Sequence, residues 1–260
     1  DDEKAKLGLV GLGLDYRQDN MRLSADLGYQ NNELQKTRTN VTLSGLTRVP
    51  NAADAKSNWS QPWSYSNEKD VFGTLRAEYD LSPNLTAYGA YGFRHGEEEN
   101  SLANLTVTNL NGDGTTYRFD NAREDDINTG EIGIRGKLTS GKINHNWVVS
   151  GNIYKAQTKA PYQFDWQNTL TTNLYHPTSY AKPSWSAAAL AGGDIDHPTK
   201  TGETTLTSVA LADTLAFMDD KLQVTLGARH QTIEDESFDP TTQASNGKYK
   251  ESKTTPAFAL

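Results

Sequence analysis

Between Met21 and Gln30 the chain alternates with a period of two. Met21, Leu23, Ala25, Leu27 and Tyr29 fall on one side, and Arg22, Ser24, Asp26, Gly28 and Gln30 on the other. Successive strand side chains point to opposite faces, so this decapeptide predicts a strand with one apolar and one polar side. The pattern returns along the chain. Val71, Leu75, Ala77 and Tyr79 alternate with Thr74, Arg76, Glu78 and Asp80; Ile132, Ile134 and Leu138 alternate with Glu131, Arg135 and Lys137. Trp147, Val149 and Ile153 oppose Asn146, Ser150 and Asn152, with Val148 as an exception, and Leu222, Val224, Leu226 and Ala228 alternate with Gln223, Thr225, Gly227 and Arg229. Weaker versions run over Val10–Tyr16, Leu85–Phe93 and Val209–Phe217. Apolar positions do not recur at three and four, which rules against helices. Parity turns Arg22, Asp26, Arg76, Glu78, Glu131, Arg135, Lys137 and Arg229 to the polar side. Asp213 falls on the apolar side near a turn, the depth at which a lipid-facing charge costs least.

The connections between these strands fall into two kinds. Short ones, rich in Asp, Asn, Ser, Pro and Gly, are expected at Arg17–Asn20, Asp80–Asn84, Thr139–Asn144 and Met218–Lys221. Long ones are expected at 31–69, 95–125, 156–204 and 235–251. Short and long alternate strictly, pairing the strands into hairpins. Transmembrane β-barrels combine short periplasmic turns with long extracellular loops in this way, and strands of about 9–14 residues suit a tilted crossing. A soluble β-sandwich would also alternate, but four long loops on one edge and one-sidedly aliphatic strands favour the membrane. The fold class expected is therefore all-β, an antiparallel transmembrane β-barrel segment.

Composition supports this reading. Only 35% of residues are hydrophobic and the mean hydropathy is −0.71, yet 9% are aromatic, more than a disordered chain of such polarity carries. A barrel reconciles the two figures, because only alternate strand residues face lipid and polar loops dilute the average. No run of 18 apolar residues could form a membrane helix. The net charge of −8 and the lack of a basic stripe argue against a nucleic-acid partner. With no cysteine, thiolate metal sites and cysteine nucleophiles are excluded. The opening DDEKAK and the closing TTPAFAL, which reads as a strand beginning, suggest a segment of a longer protein.

Several local patterns resemble chemistry without its context. Gly8, Gly11 and Gly13 precede no helix, so a dinucleotide site would lack its phosphate-binding terminus. Lys200-Thr201-Gly202 stands alone, and Asn111-Gly112-Asp113-Gly114 reads as a turn rather than a calcium loop. His95 with Glu97–Glu99, and Asp194 with Asp196 and His197, lack the spacing of a metal site. No catalytic residue is assigned; a hydrolase would need an assembled nucleophile and base, for which Ser208 and His230 are the only suggestion. The more informative feature is aromatic. Trp59, Trp63 and Tyr65 lie in NWSQPWSYSNEKD, Tyr117, Arg118 and Phe119 in TTYRFDN, and Tyr162, Phe164, Trp166, Tyr175, Tyr180 and Trp185 in the third long connection. Such residues give a ligand contact area and charge-assisted hydrogen bonds. The candidate ligand-binding set is Trp59, Trp63, Tyr65, Arg94, Tyr117, Arg118, Tyr162, Trp166 and Tyr175.

The segments LGLDYRQDNMRLSADLGYQNN, NWSQPWSYSNEKDVFGTLRAEYDLSPNLTAYGAYGFRHGEEEN and TTYRFDNAREDDINTGEIGIRGKLTSGKINHNW resemble TonB-dependent siderophore receptors. So do TNLYHPTSY, TSVALADTLAFMDDKLQVTLGARHQTIE and KESKTTPAFAL, with the ferrichrome and hydroxamate type most similar. The resemblance implies a 22-stranded outer-membrane barrel plugged by an N-terminal domain. It implies import of ferric siderophores with energy supplied through TonB. Residues 1–260 would supply eight to nine of those strands, without the plug, the TonB-contacting region or the C-terminal strands. Iron would arrive chelated by the siderophore, so no cofactor or protein-held metal is expected. The implied partners are the ferric siderophore, the plug, the TonB complex and outer-membrane lipid. The alternative is a self-contained small barrel with a structural or adhesin role. An isolated sheet of this kind would expose edges and apolar surface, and is expected to need detergent.

Overall fold

The computed structural model describes residues 2–218 and 221–260. Nine long strands form one sheet: β1 (Lys4–Gln18), β2 (Met21–Gln35), β4 (Tyr65–Ser82), β5 (Leu85–Val107), β6 (Asp113–Ser140), β7 (Ile143–Lys159), β11 (Lys200–Phe217), β12 (Leu222–Phe238) and β13 (Ser245–Ala259). Four short strands, β3 (Val41–Leu43), β8 (Tyr162–Phe164), β9 (Leu170–Asn173) and β10 (Leu190–Gly192), belong to the two long connections. The nine long strands pair antiparallel in chain order, and the sheet stays open, with β1 and β13 as its edges. It does not close on itself as a small eight-stranded barrel would. Pro256, which has no N–H to donate, sits in an edge strand, where the ladder tolerates it.

The strands are longer than their periodicity suggests. β6 has 28 residues, about 90 Å at 3.3 Å per residue, against a hydrocarbon layer of about 30 Å. Two connections expected to be long loops are consequently mostly strand. Residues 95–125 continue β5 and β6 to a turn at 108–112, and residues 235–251 continue β12 and β13 to a turn at 239–244. Above the lipid band a strand need not be apolar on one side, so the alternation that marks it lower down fades. Residues 254–259 of the closing TTPAFAL are likewise the later part of β13 rather than the start of a strand. The short turns are tighter than expected: two residues join Gln18 to Met21, Ser82 to Leu85 and Ser140 to Ile143, with Asp19 (φ 44°) and Gly141 (φ 64°) in the left-handed region. The fourth turn, expected at Met218–Lys221, includes residues 219 and 220, which lie outside the described residues.

Register divides the sheet into two faces. On one, Leu75, Ile132, Val209 and Leu211 stand exposed at 53–73%, with Tyr29 opposite Val71 at one end of the band and Tyr79 opposite Met21 at the other. This is the lipid-facing belt of a barrel. Asp213 stands on it as expected, near the end of β11, and contacts His145 Nδ1 at 2.7 Å. The other face holds every charge assigned to it by parity. Arg22 donates to Glu78 (3.1 Å) and Asp80 (2.6 Å), Arg135 and Arg76 also donate to Glu78 (2.6 and 2.9 Å), and Tyr88 Oη donates to Glu131 (2.7 Å). Arg76 and Arg135 flank the Tyr88 ring, their guanidinium carbons 4.8 and 5.7 Å from its centroid. Among the described residues no helix is long and apolar enough to cross a membrane.

Candidate functional site at the extracellular end

The β5–β6 hairpin stands above the lipid belt, and both long connections fold onto it. Its turn needs glycine at two positions. Gly112 has φ 86°, and a Cβ on Gly114 would lie 2.0 Å from the Thr106 carbonyl oxygen. β3 joins the free side of β5 in parallel, while β8 and β9 pair with β6. Leu105, Val107 and Leu174 form a buried cluster covered by Val41, Leu46, Ala53, Trp59 and Tyr175. Among the described residues the buried hydrophobic cluster thus lies in this cap, and Ala216 is the buried apolar residue of the wall.

Most predicted ligand residues hold the cap together. The Trp59 indole N–H donates to the Thr39 carbonyl (2.9 Å), and Tyr175 Oη donates to the Asn51 carbonyl (2.8 Å). Arg118 donates to Asp120 and, at 2.9 Å, to the Pro183 carbonyl, with its guanidinium 3.8 Å from the Trp185 ring centroid. Lys182 reaches Asp120 at 3.2 Å and lies about 6 Å from the Trp63 and Tyr65 rings. Burial raises the Asp120 carboxyl pKa, but Arg118, Ser101 and Lys182 more than offset this and hold it below the usual carboxylate value. Burial, and then the hydrogen bond to Glu99, push the Tyr65 phenol above its ordinary value.

The opposite face of the same hairpin is different. Phe119 pairs with Phe164 and Asn121 with Tyr162, so both β8 aromatics share the face of Phe119 and Tyr117. Continuous register places that face on the polar, inner side of the sheet with Glu78 and Arg135. The Tyr117, Phe119 and Tyr162 rings lie 6.0–6.4 Å from Phe164, and Tyr162 is 43% exposed. Below them Arg94 pairs with Asp70 (2.6 Å) and Arg123 with Asp125 (2.6 Å). Of the nine candidates, Tyr117, Tyr162 and Arg94 face inward, and Trp166 is half exposed in the loop after β8. Trp59, Trp63, Tyr65, Arg118 and Tyr175 lie within the cap. Tyr65, Arg94, Tyr117 and Arg118 are strand residues because the strands extend past the membrane, and Tyr162 belongs to the short strand β8.

Sequence reasoning missed Gln61. Its fully buried amide donates to the Thr178 carbonyl (2.9 Å) and accepts from the Tyr180 N–H (2.8 Å), fastening one long connection to the other. No periodicity or motif marks a lone glutamine in a loop. Ser208 and His230 occupy opposite faces, since Ser208 pairs with Gln231 and His230 with Val209, so they form no nucleophile–base pair. Asp113 accepts from the Asn109 and Asn173 amides (3.0 and 2.7 Å), the arrangement of a turn.

A profile of the family described as TonB dependent receptor-like, beta-barrel matches residues 10–260. The ferrichrome receptor FcuA of Yersinia enterocolitica is 34% identical over 259 residues, covering 100% of this chain and 33% of that protein. Among solved structures, BauA, the ferric preacinetobactin receptor from Acinetobacter baumannii, superimposes with a TM-score of 0.83 at 28% identity, over 98% of this chain and 37% of that one. The siderophore receptor PiuA from the same species shares the fold at 14% identity and a TM-score of 0.73, over 98% and 39% of the two chains. The chain spans about a third of the length of the curated relative it matches.

Proposed function

Because the chain belongs to the TonB-dependent receptor β-barrel family, whose members are outer-membrane receptors rather than enzymes, we propose that it forms part of the wall and extracellular rim of a receptor that imports ferric siderophores with energy from TonB. The observation that carries this reading is the aromatic ladder of Tyr117, Phe119, Phe164 and Tyr162, turned inward above a hydrogen-bonded charged wall. Its flat apolar faces suit the organic shell of an iron chelate. The iron stays coordinated by that chelate, so the protein supplies no metal ligands. Tyr117, Tyr162 and Arg94 are the predicted site residues retained here as ligand contacts; the cap residues hold the ladder in place. The open edges at β1 and β13 accord with further strands completing the barrel, and the inner charges with a plug domain that contacts TonB.

Growth of a receptor-deletion strain on ferric siderophores as sole iron source tests this proposal. Complementation by the full-length receptor should restore growth on at least one siderophore, and should fail when TonB is absent. Equal growth of the deletion strain and its parent on every siderophore would refute it.

A further inference from the structure

The strands of the wall contain two kinds of glycine. A Cβ on Gly28, Gly133 or Gly136 would strike the ring of Phe72, Tyr88 or Trp147 at 2.3, 2.5 and 2.6 Å, so an aromatic neighbour fills each of these positions. Gly130 and Gly151, on the lipid-facing side, are bare. A Cβ on either would meet nothing nearer than 3.5 Å, an ordinary van der Waals contact, and neither has a positive φ. Glycine weakens a strand interior unless something comes close to the backbone there. No side chain among the described residues does so at these two positions, which leaves them open to a group from outside the protein.

The two glycines lie diagonally on β6 and β7, Gly130 paired with Ile153 and Gly151 with Ile132. They floor an apolar groove of about 510 Å³ that crosses β6, β7, β11 and β12, flanked by Ile132, Ile153 and Val209. Three inter-strand steps make it about 14 Å long, roughly one leaflet of a hydrocarbon layer about 30 Å thick. Strand tilt sets its direction. Along one register row the lipid-facing residues change from Gly151 and Val209 to His230, and along the next from Ile153 to Thr207 and Thr232. The groove therefore leaves the hydrocarbon as it passes from β7 to β12, and it does so toward the extracellular side, where β12 continues to the turn at 239–244. At this polar end Thr254 meets Nδ1 of His230 at 3.0 Å, and Thr232 is engaged by Ser252 at 2.8 Å. Nε2 of His230 and the Thr207 hydroxyl have no partner among the described residues.

We propose that this groove binds one acyl chain of an outer-leaflet lipid. The chain lies over Gly130 and Gly151, and its ester or amide carbonyl accepts hydrogen bonds from Thr207 and His230. A single methylene chain can enter between the protruding Ile132 (73% exposed) and Val209 (62% exposed), whereas the broad face of a second copy would be held off by them. The site rests on the membrane barrel alone and not on the chelate reading.

The test titrates the full-length receptor in detergent with dipalmitoyl phosphatidylglycerol and follows complex formation by native mass spectrometry. A complex with one lipid should form. The variant Gly130→Leu/Gly151→Leu, which fills the groove from a side open to lipid, should weaken it about tenfold through lost apolar burial. Thr207→Val/His230→Phe should weaken it about threefold through the lost hydrogen bonds. Leu215→Ile, on the same face near the periplasmic turn, should not change it. Wild-type affinity in either double variant, or no lipid retained by the wild type, would overturn the proposal. So would a receptor dimer abolished by the groove-filling variant, which would assign this face to a second copy.

Discussion

Above the lipid belt the two faces of the β5–β6 hairpin carry similar residue types and use them differently. On the capped face, Arg118 is sealed between Asp120 and Trp185, and Leu105 and Val107 are fully buried. On the inner face, Tyr117, Phe119 and Arg94 remain accessible. The difference lies in what covers each side. Two long connections supply Trp59, Gln61, Lys182 and Trp185 to the first, whereas the second receives the three-residue strand β8 and its short partner β10. Identical chemistry becomes structural where it is enclosed and is available to a ligand where it is not.

Four experiments on the full-length receptor can break or sharpen that contrast. Leu105→Ala should have the largest effect, about 3 kcal/mol lost from the cap through the buried cavity it leaves. Hydrogen exchange should accelerate in 36–64 and 160–199 while the β2–β6 wall stays protected; uniform acceleration would show that cap and wall unfold together. Gln61→Ala should cost about 2 kcal/mol, because it strips the partners from two backbone groups in the cap. Its signature is loosening confined to the two connections, with chelate affinity falling only as a consequence.

The double variant Tyr117→Ala/Phe119→Ala should do the converse, lowering chelate affinity about tenfold and leaving cap exchange unchanged. A comparable loss from Trp185→Ala, with no change in cap exchange, would show that the capped face touches the ligand directly. The smallest effect is that of acid. Asp120 and Asp165 are held below the ordinary carboxylate value of 3.8 despite their burial, Asp120 chiefly by Arg118 and Asp165 by Ser186 and Asn168. A lowered carboxyl pKa stabilises the fold above the unfolded-state value, and that contribution is lost as pH falls through the folded-state value. Tryptophan emission from the cap should hold steady from about pH 7 to about pH 4 and shift below that. A transition centred near neutral pH would exclude these two aspartates as its cause.

The strands that cross lipid were legible in the sequence because lipid on one side and polar surroundings on the other impose a strict alternation. That is why Arg22, Glu78, Glu131 and Arg135 could be assigned to their face before any coordinates were known. Residues 95–125 escaped the same reading because they leave the membrane and carry side chains suited to loops on one face and a ligand vestibule on the other. Of the candidate ligand residues, Tyr117 and Tyr162 were assigned to loops, yet they meet on the inner face through the pairing of β8 with β6. Composition marked the aromatics, but it could not say which of them would be covered.

By itself, the sequence determined the all-β class, the hairpin order and the two-faced wall, since each follows from a local period of two repeated between turns. Tertiary structure decided the reach of the strands, the Gln61 clasp and the division of aromatics between cap and vestibule. Those depend on contacts such as Gln61 with Tyr180 and Arg118 with Pro183, more than sixty residues apart in the chain. A local pattern cannot record pairings that exist only once separate segments have folded onto one another.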